Sequence, residues 1–307
     1  MTKLPDLPAA ETAGALRLPG PVCHTALMDP VRIEWRPTLE RPTLVAAFRG
    51  WNDAGGAATL AGGYLKAVTD ARRFATIDSE PFIDYQQTRP SAKLVDGESR
   101  AIEWPETELF ASEDHDLAIL LAPEPNLRWR SYTEAIAQLA AGMRVELVVT
   151  LGALLADTPH TRPVPVSASA SDRELIERHG MTRSTYEGPT GIVGVLHDAC
   201  TRAGLRSASL WAATPHYISA SPNPRAALAL LERLSELTGT PAGSGELRTA
   251  ASEYALRVAA AIADDPEVTE YVTQLEAQLD AEQAPSGDEL AADFERYLRD
   301  RRPDDGA

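Results

Sequence analysis

The run Leu44-Val45-Ala46-Ala47-Phe48, followed by Arg49-Gly50-Trp51-Asn52-Asp53, limits the possible folds more than any other stretch of the chain. A short continuous apolar run of this kind reads as a buried strand. It breaks at Gly50–Asp53 and resumes as small and apolar residues at helical spacing: Ala57, Ala58, Leu60, Ala61, Tyr64, Leu65 and Val68. Strand, tight turn and helix open an α/β unit. In such folds the carboxyl ends of the strands face the ligand crevice. Asn52 and Asp53 are therefore expected there, where Asp53 could also cap the helix that follows.

The rest of the chain repeats the alternation. Val31–Trp35 alternates apolar and polar residues, as an edge strand does. Arg73–Ile77, Phe82–Thr88 and Arg100–Trp104 read as strands, the last two flanking a turn at Asp96-Gly97. Leu117–Leu121 and Val145–Leu151 are buried strands, separated by a helix from Arg128 to Ala141 with Gly142 as its C′ residue. Gly152–Pro163 reads as a loop, Val164 and Val166 as a short strand, and Asp172–His179 as a helix stopped by Gly180. A helix over Ile192–Ala203, a strand over Ser207–Ala212 and a leucine-rich helix over Arg225–Leu237 complete the core. Pro241–Gly245 is a composition break. Beyond it Val268, Tyr271, Val272, Leu275 and Leu279 form one apolar helical stripe. A capping box at Ser286 and Glu289 starts a last helix with Leu290, Phe294, Tyr297 and Leu298.

This order predicts a three-layer α/β/α sandwich around a mostly parallel, mixed sheet. Residues 1–28 are irregular, 29–240 form the α/β core, and 241–307 form a helical extension. The net charge of −16 argues against nucleic acid, whose phosphates need clustered Lys and Arg. From Glu246 onward 16 acids face 6 bases, which reads as a solvated helical face rather than an acidic docking surface. The two cysteines, Cys23 and Cys200, make no disulfide framework and suit a reducing compartment. The N-terminus lacks the apolar region of a signal peptide, and no stretch is long enough to span a membrane.

Six residues are candidates for a pocket. Asn52 and Asp53 could bind a ligand or supply a general base, or simply form a turn and a cap. His160 and Arg162, in Pro159-His160-Thr161-Arg162-Pro163, could bind an anion or shuttle a proton, or lock the loop. Thr190, in Gly188-Pro189-Thr190-Gly191, is the expected N-cap of a helix whose start is a physical anion site. His216 follows a strand and Pro215 and could face the same crevice. There is no P-loop lysine, dinucleotide fingerprint, H-E-x-x-H pair or nucleophile elbow, so no cofactor and no metal are expected. Arg128-Trp129-Arg130 is thin support for nucleic-acid binding, and Trp129 reads as a core anchor.

Four motifs in this order resemble one family: Gly50-Trp51-Asn52-Asp53-Ala54-Gly55, Asp157–Pro163, Tyr186–Gly191, and Pro215-His216-Tyr217 with Pro222-Asn223-Pro224. It is that of the second proteasome assembly chaperone, in its actinobacterial branch, and the likeness covers about residues 30–300. The resemblance implies a fold similar to nucleoside phosphorylases and related hydrolases, and a cytoplasmic, self-associating protein, a trimer among the options. It implies proteasome subunits as partners, and no established reaction. The resemblance implies that some eukaryotic and archaeal relatives dock through a C-terminal hydrophobic-tyrosine-any tripeptide; this sequence ends Arg302-Pro303-Asp304-Asp305-Gly306-Ala307, so that route is not expected. The alternative is a nucleoside- or anion-binding enzyme or sensor, hydrolase- or phosphorylase-like, built on the strand-end crevice.

Overall fold

The computed structural model describes residues 30–97, 99–241 and 245–283. The irregular N-terminal segment with Cys23, the helix expected from Ser286 and the terminal residues lie outside them. Among the described residues ten strands and seven α-helices follow one another. Eight strands make one sheet. They are β1 (Val31–Ile33), β2 (Thr43–Arg49), β3 (Arg72–Ile77), β6 (Thr107–Ser112), β7 (Leu117–Pro123), β8 (Leu147–Ala156), β9 (Val166–Ala170) and β10 (Arg206–Pro215). Their order is β1-β3-β6-β7-β2-β8-β10-β9. The four central strands β7, β2, β8 and β10 run parallel. The outer strands pair antiparallel, so the sheet is mixed.

The centre is apolar on both faces because helices cover both. Along β2, Val45 and Ala47 point to one side, Leu44, Ala46 and Phe48 to the other, and all five are buried. The first face carries α1 (Ala57–Val68) and α5 (Pro224–Thr238), the second α2 (Trp129–Gly142) and α4 (Ile192–Arg202). The small residues of α1 let it approach closely. A Cβ at Gly62 would lie 2.7 Å from Leu121 Cδ2 and 3.3 Å from Ala47 Cβ. The short α3 (Arg173–His179) is capped by Asp172, whose carboxylate accepts the Leu175 N–H at 2.9 Å. Beyond α5 the chain adds α6 (Gly245–Ala263) and α7 (Pro266–Gln283). Leu247, Ala251, Tyr254 and Val258 of α6, and Val272 and Leu275 of α7, are buried. Val272 and Leu275 of the tail stripe are thus covered, and Tyr271 lies edge to face against His216 and Tyr217.

Four local expectations are corrected. Phe82–Thr88 is not a strand but a turn, closed by bonds from Gln87 and Thr88 N–H to Asp84 O at 2.9 and 2.8 Å. The partner across the Asp96-Gly97 turn is instead β4 (Ser91–Val95), and with β5 (Ser99–Glu103) it forms a separate two-stranded sheet. β8 runs through Gly152 to Ala156, where a loop was expected, because β10 continues beside it, Trp211 opposite Gly152. Finally, α2 includes Gly142, and Arg144 takes the left-handed turn at φ 58°. β6 had no counterpart in the sequence reading. Cys200 is a buried free thiol, pushed up to about 12 by its apolar surroundings.

Candidate functional site

The turn after β2 is held from three sides. Asn52 is 1 % exposed, while Trp51 beside it is 71 % exposed. The Asn52 carbonyl accepts the Ala153 N–H of β8 at 2.8 Å. Its Nδ2 donates to Glu124 Oε1 at 2.9 Å, and the same oxygen accepts the Ile192 N–H, the first of α4, at 3.0 Å. Glu124 Oε2 accepts the Trp51 N–H at 3.1 Å. Register places the carboxylate there: Pro123 lies opposite Arg49, and the Glu124 N–H reaches Arg49 O at 2.8 Å. The helix N-terminus, a physical anion site by its free N–H groups and expected to be capped by Thr190, thus receives a carboxylate of the protein's own. Glu124 is the residue the sequence reading missed. Its only signal is a carboxylate between two prolines at the end of a central strand.

Asp53 acts on α1. Its Oδ1 accepts the Ala58 N–H at 2.7 Å and the Thr59 N–H at 3.3 Å, and Oδ2 accepts the Thr59 hydroxyl at 2.5 Å. Burial pushes this carboxyl above the usual range, against the pull of the Thr59 hydroxyl and the two backbone donors. Thr190, by contrast, is exposed and does not cap α4: the N-cap is Gly191, which makes no side-chain cap. Gly191 is there for space, since a Cβ would lie 2.4 Å from Asn52 Oδ1. That oxygen is buried and has no hydrogen-bond partner.

His160, Arg162 and His216 belong to a second cluster, built where β8 and β10 end. The His160 N–H donates to the Tyr217 hydroxyl at 2.8 Å, and His160 Nδ1 lies 3.0 Å from the same oxygen. Asp157 Oδ1 lies 3.0 Å from His216 Nδ1 and accepts the Tyr271 hydroxyl at 3.1 Å. The rings of His160, Tyr217, His216 and Tyr271 contact edge to face, with centroids 5.6, 5.7, 5.9 and 5.9 Å apart. α7 closes over this loop: Glu276 accepts from the Thr161 hydroxyl, and Asp280 pairs with Arg162 at 2.6 Å. From below, Arg225 donates to the carbonyls of His160 and Arg162. Burial, with Arg225 as a second cause, pulls His160 below its ordinary value, which favours the neutral ring.

Among the described residues, no hydrogen bond or ion pair joins Asn52 or Asp53 to His160, Arg162 or His216. Five of the six candidates thus fall into two hydrogen-bonded groups, Asn52 and Asp53 in one and His160, Arg162 and His216 in the other, while exposed Thr190 belongs to neither. A groove of about 440 Å³ adjoins the first group at Arg49, Gly50 and Glu124. A cavity of about 10 Å³ lies inside the second, lined by Thr158, His160, Arg162 and Arg225. A further groove of about 840 Å³ runs along α6 beside Leu60, Ile218 and Val258, and none of the six lines it. Among the described residues no three His, Cys, Asp or Glu side chains are grouped to hold a metal, and no helix is long and apolar enough to cross a membrane.

Comparison with known proteins adds to this geometry. The model of the PAC2 family matches residues 47–262. A solved PAC2 family protein from Streptomyces avermitilis is 47 % identical, covering 75 % of this chain and 99 % of its own, with a TM-score of 0.69. A Mycobacterium tuberculosis protein described as a proteasome-assembly chaperone homologue is 41 % identical, with the same coverages and TM-score. A Pyrococcus furiosus protein, PbaA, described as an archaeal homologue of proteasome-assembly chaperone, shares the fold at 20 % identity, a TM-score of 0.56, and 81 % and 99 % coverage. No curated protein matches.

Proposed function

The chain belongs to the PAC2 family, and on that premise we propose that it is a chaperone-like protein working through protein–protein contacts, with no reaction at the strand ends. One observation carries this reading beyond family membership: the groups that could do chemistry there are engaged with the protein itself. Asp53 holds α1, Glu124 holds α4 and the Asn52 turn, and His160 is bonded to Tyr217 under α7. A general acid or base needs a proton-bearing atom free to reach a substrate.

Proteasome subunits are the partners this reading names, and the cytoplasm is its place of action. The working form is a homo-oligomer, such as a trimer. The β4–β5 hairpin supports self-association. Most of its residues are exposed, and Ala92, Leu94 and Ile102 share one face by register. A lone two-stranded hairpin is marginal in water, and this reading has a second copy of the chain cover that face, which also carries Arg100 opposite Leu94. The competing reading, a nucleoside- or anion-binding enzyme or sensor, has the 440 Å³ groove and the unpartnered Asn52 Oδ1 in its favour.

The test combines light scattering on the purified chain with capture from its own cell extract. An oligomer that Leu94→Asp with Ile102→Asp reduces to monomer, with unassembled 20S α subunits retained by the tagged chain, supports the proposal. A monomer that retains no proteasome subunit, and whose melting temperature rises with nucleosides, overturns it in favour of the enzyme or sensor.

A further inference from the structure

The groove along α6 faces solvent with apolar walls. It lies between α6, Leu60 and Tyr64 of α1, and the stretch from Tyr217 to Pro222, and it ends at Val268 in the first turn of α7. Leu60, Ile218, Val258, Ala261, Ile262 and Val268 make most of its surface apolar. An exposed apolar surface on this scale marks a place where something docks. The charges on its rim are one-sided. Among the described residues Glu246, Glu253 and Asp265 line it against a single base, Arg257. The groove therefore suits an element that is apolar on one side and basic beside it.

The sequence beyond α7 supplies such an element. In residues 284–307, outside the described ones, Leu290, Phe294, Tyr297 and Leu298 recur at helical spacing after the capping box. All four bases of that stretch, Arg296, Arg299, Arg301 and Arg302, fall within seven residues, with Asp300 the one acid among them. Length and direction agree with the groove. α7 starts at the groove with Val268 and carries the chain about 22 Å away to Gln283, at 1.5 Å per residue. Ala284-Pro285 is a connection of the length that joins two antiparallel helices. A helix running back from Gly287 covers the same 22 Å by Arg302 and returns Leu298 to within a turn of the level of Val268. A tethered segment also acts at an effective concentration in the millimolar range, which a separate chain does not reach in a cell.

We propose that residues 286–302 of the same chain fold back along α7 as a helix and dock in this groove, with Phe294, Tyr297 and Leu298 against its apolar walls and the arginines beside Glu253 and Asp265. A foreign helix that docks there must first displace this segment. The contact is independent of whether the strand ends catalyse anything and of which partner the protein serves.

Hydrogen exchange followed by mass spectrometry on the full chain tests this. Native peptides covering 290–299 should exchange at least about tenfold slower than an unprotected chain. Phe294→Asp with Leu298→Asp should remove that protection and speed exchange in peptides covering 217–222 and 258–265, while β2 stays protected. Ala261→Lys alters the groove wall instead of the tail; Ala261 is exposed and lysine is a good helix former, so the fold survives. It should release peptides 290–299 in the same way. Co-expressing A261K chains with F294D/L298D chains separates a tail docked in its own chain from one exchanged between copies. The mixture should recover no protection, because neither chain has both an intact groove and an intact tail. Native 290–299 exchanging at the unprotected rate, protection that persists in A261K, or recovery in the mixture overturns the proposal.

Discussion

Removing the Glu124 carboxylate should uncouple the turn after β2 from the start of α4. In Glu124→Ala three donors lose their acceptor: Trp51 N–H, Asn52 Nδ2 and Ile192 N–H. Trp51 is exposed, and water replaces its bond at little cost. Asn52 is 1 % exposed and Ile192 fully buried, so those two losses matter. Hydrogen bonds to a charged group are worth about 1.5–3 kcal/mol each. Two of them set an upper bound of about 6 kcal/mol. The vacated space opens on the groove beside Gly50 and admits water, which brings the expected loss to about 3 kcal/mol. For a domain of this size that lowers Tm by about 6–12 °C. Glu124→Gln keeps one carbonyl oxygen for Asn52 and Ile192 and loses the charge, so it should cost about 1–2 kcal/mol. Urea unfolding followed by tryptophan fluorescence measures both. If E124A costs under about 0.5 kcal/mol, or less than E124Q, the carboxylate does not hold the two elements together.

Other perturbations probe the same geometry. Gly191→Ala should destabilise by about 1–3 kcal/mol, because its Cβ would lie 2.4 Å from Asn52 Oδ1 and 2.9 Å from Cγ, so the whole amide must move; a neutral effect in thermal melts would contradict the packing. Asp53→Asn should cost about 1 kcal/mol or less and Asp53→Ala about 1–2 kcal/mol, the behaviour of a helix cap, and partner capture should survive wherever folding does. His160 has a native pKa below its unfolded value, so the unfolded chain takes up the proton first on acidification. Its stabilising contribution is complete above about pH 6.5 and is lost as pH falls from there through the lowered native value. Urea midpoints across pH 8 to 5 should therefore fall less steeply in His160→Gln than in the native chain. Parallel slopes would show that this ring does not titrate between the two states. Tyr271→Phe removes one bond to Asp157 at an exposed site and should change stability by under about 1 kcal/mol.

What could be read from the sequence was what local periodicity encodes. The β2 run and the small residues of α1 identify themselves because both are buried along their length. Features set by a distant residue did not show. Gly152 looked like a loop signal, yet it sits mid-strand because Trp211 packs over it, and an added Cβ would be 2.7 Å from that ring. Phe82–Thr88 carries strand-like aromatics, but Phe82 and Ile83 are buried within a turn whose Asp84 N–H bonds to Asn126 Oδ1, 42 residues away. Asp53 as a cap was legible. Glu124 as the acceptor for α4 was not, because it meets Ile192 only once β7 lies in register with β2. The acidic tail read as a solvated face, whereas Glu276 and Asp280 fasten α7 to Thr161 and Arg162, more than 110 residues earlier.

The eight-stranded sheet ends in short strands on both sides. β1 spans three residues, with Arg32 paired to Asp78, and β9 spans five, its outer edge bridged by the bonds between Thr182 and residues 168 and 170. Such edges offer little backbone for a neighbouring sheet to continue. Open-ended fibre growth by strand addition is therefore disfavoured at both margins. Under the proposed self-association, copies of the chain would meet through side-chain surfaces, where a rotation can close on itself and fix a finite number of subunits.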